Sequence, residues 1–118
     1  MAKQNDFVSF VLQLLAPLGE VRARAMFGGY GVYHNELIFA CVIDDTLYLK
    51  VDDETKEKFI ARGLKPFTYD AHGKKVAMSY YEAPPEIFDD PDEMLNWARQ
   101  AVVVSKSGKQ KKKTSKKK

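Results

Sequence analysis

The chain has 118 residues and a mass of 13.4 kDa, which is the size of one domain and excludes a second large folded unit. Hydrophobic residues make up 45% of the chain and aromatic residues 12%, so a core can form and complete disorder is excluded. The formal net charge of +3 would indicate a mildly basic protein if the charge were evenly spread.

The charge is divided between two parts of the chain. Eight of the 19 basic side chains lie in residues 105–118, which leaves 11 basic against all 16 acidic side chains, a net charge of −5, in residues 1–104. We predict a folded domain over residues 1–104 and a disordered tail over residues 105–118, because the tail has no large apolar side chain to bury. The eight tail lysines are Lys106, Lys109, Lys111, Lys112, Lys113, Lys116, Lys117 and Lys118.

The first half of the chain predicts one helix and three strands. Asn5 or Asp6 can cap an amphipathic helix, because apolar residues recur at helical spacing from Phe7 to Leu18, and Pro17 and Gly19 end it. β-Branched and aromatic residues then predict antiparallel strands over residues 24–33, 36–43 and 46–51. Two-residue hairpin turns are expected at His34-Asn35 and Asp44-Asp45, because Asn and Asp tolerate the left-handed backbone.

The second half predicts a helix, two strands and a last helix. Asp52 begins the second helix and Gly63 ends it, while Asp90 caps the third. The two strands cover residues 66–70 and 75–82. The order helix, three strands, helix, two strands, helix predicts a two-layer α+β fold with one antiparallel sheet and helices on one face.

A glycine-rich segment, residues 26–33, has two interpretations. Its glycine spacing matches neither phosphate-binding pattern, and no helix begins after it. The structural interpretation is a bulged or sharply bent strand. The functional alternative is a surface that binds a partner protein, because Tyr and Arg dominate interface energetics. That predicted surface consists of Arg22, Arg24, Tyr30 and Tyr33.

Residues for catalysis are scarce. His34 and His72 both fall in predicted turns, and Cys41, the only cysteine, lies in an apolar run that predicts a buried side chain. We therefore predict no enzymatic activity, no cofactor and no metal site. The lone cysteine and an N-terminus without the pattern of a signal peptide predict a cytoplasmic protein with no membrane contact.

The lysine tail predicts nonspecific contact with nucleic acid, because clustered lysines neutralise phosphates without reading bases. The alternative is a tail that only keeps the protein soluble. Tyrosines on the sheet face without helices offer a further alternative, namely a homodimer or a docking module with no nucleic-acid role.

Five motifs resemble the N-terminal domain of the TfoX/Sxy family, in order along residues 5–104. They are Arg24-Ala-Met-Phe-Gly-Gly-Tyr-Gly-Val-Tyr33, Leu47-Tyr-Leu-Lys-Val-Asp52, Lys65-Pro-Phe-Thr-Tyr69, Met78-Ser-Tyr-Tyr81 and Trp97-Ala-Arg99. The resemblance implies a bacterial, non-enzymatic regulator of natural competence that works with transcription machinery, with the cyclic-AMP receptor protein as the candidate partner. It also implies a fold similar to type III secretion chaperones, with no cofactor.

Full-length competence regulators of this family carry a second, helical domain where this sequence has its lysine tail. We therefore expect a protein that acts through protein contacts near DNA, in which the tail supplies nonspecific DNA affinity. The alternative from the resemblance is a stand-alone interaction module that does not drive competence genes.

Overall fold

The computed structural model of the chain describes residues 6–26 and 29–116, with side chains described except at positions 26, 69, 71, 77 and 108–116. The helices are α1 (Asp6–Leu15), α2 (Lys56–Ala61) and α3 (Pro91–Lys116). The strands are β1 (Val21–Met26), β2 (Gly29–His34), β3 (Leu37–Ile43), β4 (Thr46–Lys50), β5 (Pro66–Ala71) and β6 (Lys74–Glu82). Short 3₁₀ helices, Ala16–Leu18 and Pro85–Asp89, precede β1 and α3.

The six strands form one antiparallel sheet in the order β1-β2-β3-β4-β6-β5. The first four strands form a meander, because each pairs with the next along the chain. The α+β class with a single antiparallel sheet is confirmed.

The prediction of three strands before α2 is wrong, because the structure has four. The segment 24–33 is a hairpin of β1 and β2, in which Met26 pairs with Gly29. The connection, residues 27 and 28, lies outside the described residues. Strand-forming residues lie on both sides of the reversal and no Asn or Asp marks it, so the residue pattern reads as one continuous strand.

The later hairpin turns follow the turn chemistry of the sequence. Asp44 and Asp45 both have left-handed backbone, with φ of 50° and 56°, as the prediction requires. The preceding turn is shifted by one residue from its predicted place, because Asn35 and Glu36 carry the positive φ values. The strand β2 therefore includes His34.

The hydrophobic core lies between one face of the sheet and the helices α1, α2 and α3. We call this side the covered face and the opposite side the open face. Val11, Phe39 and Met94 have no solvent exposure, which places helix and strand side chains in the same closed layer. Burial of such side chains supplies the main driving force for folding.

Trp97 joins α3 to α2 at the margin of this core. Its ring packs edge-on against Phe59, with centroids 5.1 Å apart, and its Nε1 donates a hydrogen bond to Glu93 at 3.1 Å. The cationic groups of Lys58 and Arg62 each lie 5.2 Å from the Trp97 ring. Cation–π contact and edge packing thus hold the short helix α2 against α3.

The helix α3 begins where the sequence predicts it. Asp90 Oδ1 accepts hydrogen bonds from the backbone N–H groups of Asp92 and Glu93, which confirms the predicted cap. The helix runs on to Lys116, and Ser105 is buried, with its hydroxyl donating to the Ile38 carbonyl oxygen. The division into residues 1–104 and a disordered tail stays a prediction, because side chains from 108 onward are not described.

Candidate functional site

The open face carries a row of side chains that crosses five strands. Register pairs connect Arg24 to Gly31, Gly31 to Cys41, Cys41 to Tyr48, and Tyr48 to Glu82. Side chains of paired residues lie on the same face of an antiparallel sheet. Arginine, thiol, phenol and carboxylate groups therefore share one surface.

Three of the four residues of the predicted protein-binding surface lie together at the β1 end of this face. Arg22 pairs with Tyr33, and the guanidinium carbon of Arg24 lies 5.6 Å from the centre of the Tyr33 ring. Both arginines are exposed and Tyr33 is half-buried. We call Arg22, Arg24 and Tyr33 the Arg–Tyr cluster. With Glu36 they line a hollow of about 370 Å³.

Tyr30 lies on the other side of the sheet. It pairs with Ala25 and Val42 and packs against the core cluster, so its ring belongs to the covered face. The reversal after Met26 is the cause, because it pairs even-numbered residues of β1 with odd-numbered residues of β2. Tyr33 therefore joins the arginines and Tyr30 does not.

Close packing explains one of the glycines of the sequence motif. A Cβ at Gly29 would overlap the Val42 carbonyl oxygen and lie 2.7 Å from Ile43 Cδ1. The contact requires a residue without a side chain, which supports the structural interpretation of this position. Gly31 is also buried in β2, whereas Gly28 lies outside the described residues.

Aromatic rings fill the middle of the open face. Tyr48 and Phe67 are 5.2 Å apart between ring centres, and Lys50 Nζ lies 5.3 Å from the centre of the Tyr80 ring. Burial raises the pKa of Tyr80 to about 12, and the nearby Cys41 and Tyr33 act in the same direction. Burial also raises the pKa of Tyr48, with a further effect from Glu82.

Cys41 has the properties of a buried structural residue. Its side chain is 3% exposed, and burial raises the pKa of its thiol from 9.0 to about 12. A thiol that stays protonated near neutral pH is a poor nucleophile. His34 and His72 lie 38 positions apart, at the ends of different hairpins, and across the described residues no cluster of three metal-ligating side chains occurs.

The sequence places part of the aromatic set around Phe67 on the face without helices, but it does not point to Glu36, Tyr48 or Lys50 as part of this surface. Alternation along β4 would have put Tyr48 and Lys50 on one face, opposite Leu47 and Leu49. The sequence alone did not say which of those faces the helices cover.

The tail lysines begin directly after the buried Ser105. Lys106 is exposed. Five more lie on the backbone of α3 with side chains that are not described, and two lie outside the described residues; these seven are Lys109, Lys111, Lys112, Lys113, Lys116, Lys117 and Lys118. In the parts of the chain that the structure describes, no helix has the length and apolarity needed to cross a membrane.

Comparison with known proteins identifies relatives for most of the chain. Protein Sxy of Escherichia coli K12 is 29% identical over 92 residues, which is 78% of this chain and 40% of the relative. The DNA transformation protein TfoX1 of Aliivibrio fischeri is 24% identical over 103 residues, 87% of this chain and 47% of the relative. The chain thus spans less than half the length of either relative. Residues 13–105 match the TfoX N-terminal domain, and the chain belongs to the TfoX/Sxy family.

Proposed function

We propose that this protein is a non-enzymatic regulator of the competence type that acts in the cytoplasm through protein contacts made close to DNA. The observation that carries the proposal is the division of charge, −5 in residues 1–104 and +8 in residues 105–118. DNA repels the first part and attracts the second. Membership of a regulatory family supports the same reading.

The lysine tail is the DNA contact in this proposal. Each neutralised phosphate releases counterions, so log affinity falls with log salt concentration at a slope of about −0.9 per contact. Seven tail lysines follow Ser107, and they can be changed without touching the Ser105 hydrogen bond to β3.

The test replaces those seven lysines by glutamine in the full chain and measures binding to two unrelated DNA duplexes over a range of salt. We expect weaker binding to both duplexes and a slope shallower by up to about six. Lys74→Gln with Lys75→Gln, at two exposed lysines of β6, is the control for loss of lysine charge outside the tail. An unchanged slope in the seven-lysine variant would show that the tail is not the anchor.

The Arg–Tyr cluster is the protein contact in this proposal. Arginine and tyrosine are enriched at the energetic centres of interfaces, and these three side chains lie together on a face without helices. From the family resemblance we propose transcription machinery as the partner, with the cyclic-AMP receptor protein first. The test immobilises the chain, adds the purified receptor protein with nuclease present, and measures how much of it is retained. We expect the double variant, Arg22→Glu with Arg24→Glu, to lose this retention.

A dimeric docking module without a nucleic-acid role is the second candidate. The half-buried Tyr33, Tyr48 and Phe67 on the open face favour it, because aromatic surface is typical of interfaces. Light scattering over a hundredfold range of concentration decides this point. A dimer that Tyr48→Glu dissociates supports the second candidate, and a monomer at every concentration rejects it.

A further inference from the structure

The strand β1 lies at one edge of the sheet. Within the described residues no strand pairs with β1 on the side away from β2. An edge strand presents backbone N–H and C=O groups that can pair with a further strand. Peptides commonly bind proteins in this way, with main-chain hydrogen bonds supplying affinity and alternate side chains supplying specificity.

The opposite edge, β5, is protected against such pairing. The strand begins with Pro66, which has no N–H to donate, and its register shifts between Pro66 and Thr68. Proline and irregular pairing are the usual devices that keep a sheet edge from accepting another strand. In contrast, β1 pairs regularly with β2 over all six of its residues.

Arg22 and Arg24 determine which strand β1 can accept. They are two residues apart, so both project from the open face, and both are exposed. Among the described residues neither guanidinium has a carboxylate within 4 Å. Residues on an added strand would lie opposite them at about 5 Å between Cβ atoms. Two carboxylates at alternate positions would therefore meet two guanidinium groups.

The same arginines oppose pairing between two copies of the chain. Antiparallel pairing of β1 with a second β1 would place arginine next to arginine, and like charges in facing positions destabilise a sheet. On the other face of β1, Val21 and Ala23 pack against the core and Ala25 is exposed. That face favours apolar side chains at the intervening positions of the added strand.

We propose that β1 binds an extended acidic segment of a partner protein as an added strand, with carboxylates at alternate positions held by Arg22 and Arg24. The two arginines line a hollow together with Tyr33 and Glu36, and this hollow gives the bound side chains room. The inference rests on the proposed function in taking the partner to be a protein, and it adds the binding mode and the charge pattern.

Single-stranded nucleic acid is the competing ligand for an Arg–Tyr surface. Its recognition uses aromatic faces as stacking platforms for bases. Here the Arg24 guanidinium already lies over the Tyr33 ring, so that face is occupied. The free edge of β1 also matches peptide backbone and not a sugar–phosphate chain. The observations therefore favour the peptide.

The test uses the full chain and a synthetic peptide, Thr-Glu-Val-Glu-Val-Glu-Val-Thr. Fluorescence anisotropy measures affinity, and amide hydrogen exchange of residues 21–26 locates the site. The exchange readout separates binding at β1 from attraction to the lysine tail. We expect protection of β1, and a loss of affinity of about tenfold for each of Arg22→Gln and Arg24→Gln. Lys74→Gln with Lys75→Gln is the matched control and should retain affinity.

Further peptides test the strand geometry. Replacing the valines by proline keeps the charge and removes backbone donors, so binding should be lost. Replacing the glutamates by glutamine keeps the strand and removes the charge, which should also abolish protection of β1. Equal binding of the proline peptide would overturn strand addition. Two results would overturn the choice of ligand. One is protection of β1 by an oligothymidylate of eight nucleotides that binds as tightly as the peptide. The other is protection of β1 through self-association when no peptide is present.

Failure of this inference is distinguishable from failure of the proposed function. An unchanged salt slope in the seven-lysine variant, with the peptide still added to β1, removes the DNA part of the proposed function alone. If DNA binding and capture of the partner are retained but the peptide does not protect β1, only the strand-addition mode is removed.

Discussion

The two faces of the sheet differ in chemistry as well as in covering. The covered face is built from aliphatic side chains such as Val32, Leu47 and Leu49, each no more than 2% exposed. The open face is built from tyrosines, arginines and a thiol, and several of those groups remain in contact with water. We expect stability to depend mainly on the covered face and the proposed binding to depend on the open face, so substitutions on the two faces should have separable effects.

Truncation in the core should have the largest effect on stability. Phe39→Ala removes a ring with no solvent exposure, and we expect the free energy of unfolding to fall by about 3–5 kcal/mol. Urea unfolding measures it. Ile60→Ala, at a side chain 49% exposed on α2, is the control and should change stability much less. Similar losses for both would contradict the assignment of stability to the covered face.

Gly29→Ala tests the close approach of β2 to β3. The added methyl overlaps the Val42 carbonyl oxygen and the Ile43 side chain, so we expect a loss of about 1–3 kcal/mol in unfolding free energy. Adding Ile43→Val removes the Cδ1 atom and should recover part of that loss, because the backbone overlap remains. Full tolerance of Gly29→Ala would show that the two strands can move apart.

Alkaline pH should lower the free energy of unfolding through two groups of the open face. The pKa values of Cys41 and Tyr80 are raised to about 12 in the folded chain, so the unfolded chain loses these protons at lower pH. The stability they provide is complete below about pH 9 and is lost as pH rises toward 12. Cys41→Ala and Tyr80→Phe should each flatten the fall in unfolding free energy between pH 9 and 11, measured with urea. If both variants kept the pH dependence of the unsubstituted chain, this prediction would be contradicted.

Substitutions in the Arg–Tyr cluster should have the smallest effect on stability. Arg22→Gln and Arg24→Gln remove exposed charges, and only Arg24 loses a ring contact, so we expect changes of at most about 1 kcal/mol. Thermal unfolding followed by circular dichroism measures them. A larger loss would mean that these arginines support the fold, and the separation of the two faces would no longer hold.

The sequence predicted those elements whose signals are local. Asp44-Asp45 and Asp90 act through their own side chains and backbone, so a turn and a helix cap could be assigned without knowledge of the fold. The class and the single sheet followed from the order of such elements.

The face of the sheet on which each side chain of β1 and β2 lies depends on a feature that has no local signal in the sequence. The unrecognised reversal between β1 and β2 changes which residues share a face, since side chains alternate along a strand. The sequence groups both Tyr30 and Tyr33 with Arg22 and Arg24, whereas in the structure Tyr33 alone lies beside them. The order of strands, which brings β6 next to β4, depends on tertiary packing and has no counterpart in neighbouring residues.

The chain has one tryptophan, and its position makes it a selective optical probe. Trp97 is 8% exposed and packs between α3 and α2, so its emission should shift to longer wavelength when the helices leave the sheet. The Arg–Tyr cluster lies on the opposite face, and a ligand there should leave the emission unchanged. A single fluorophore can therefore follow unfolding during a titration of the open face and tell a bound chain from a denatured one.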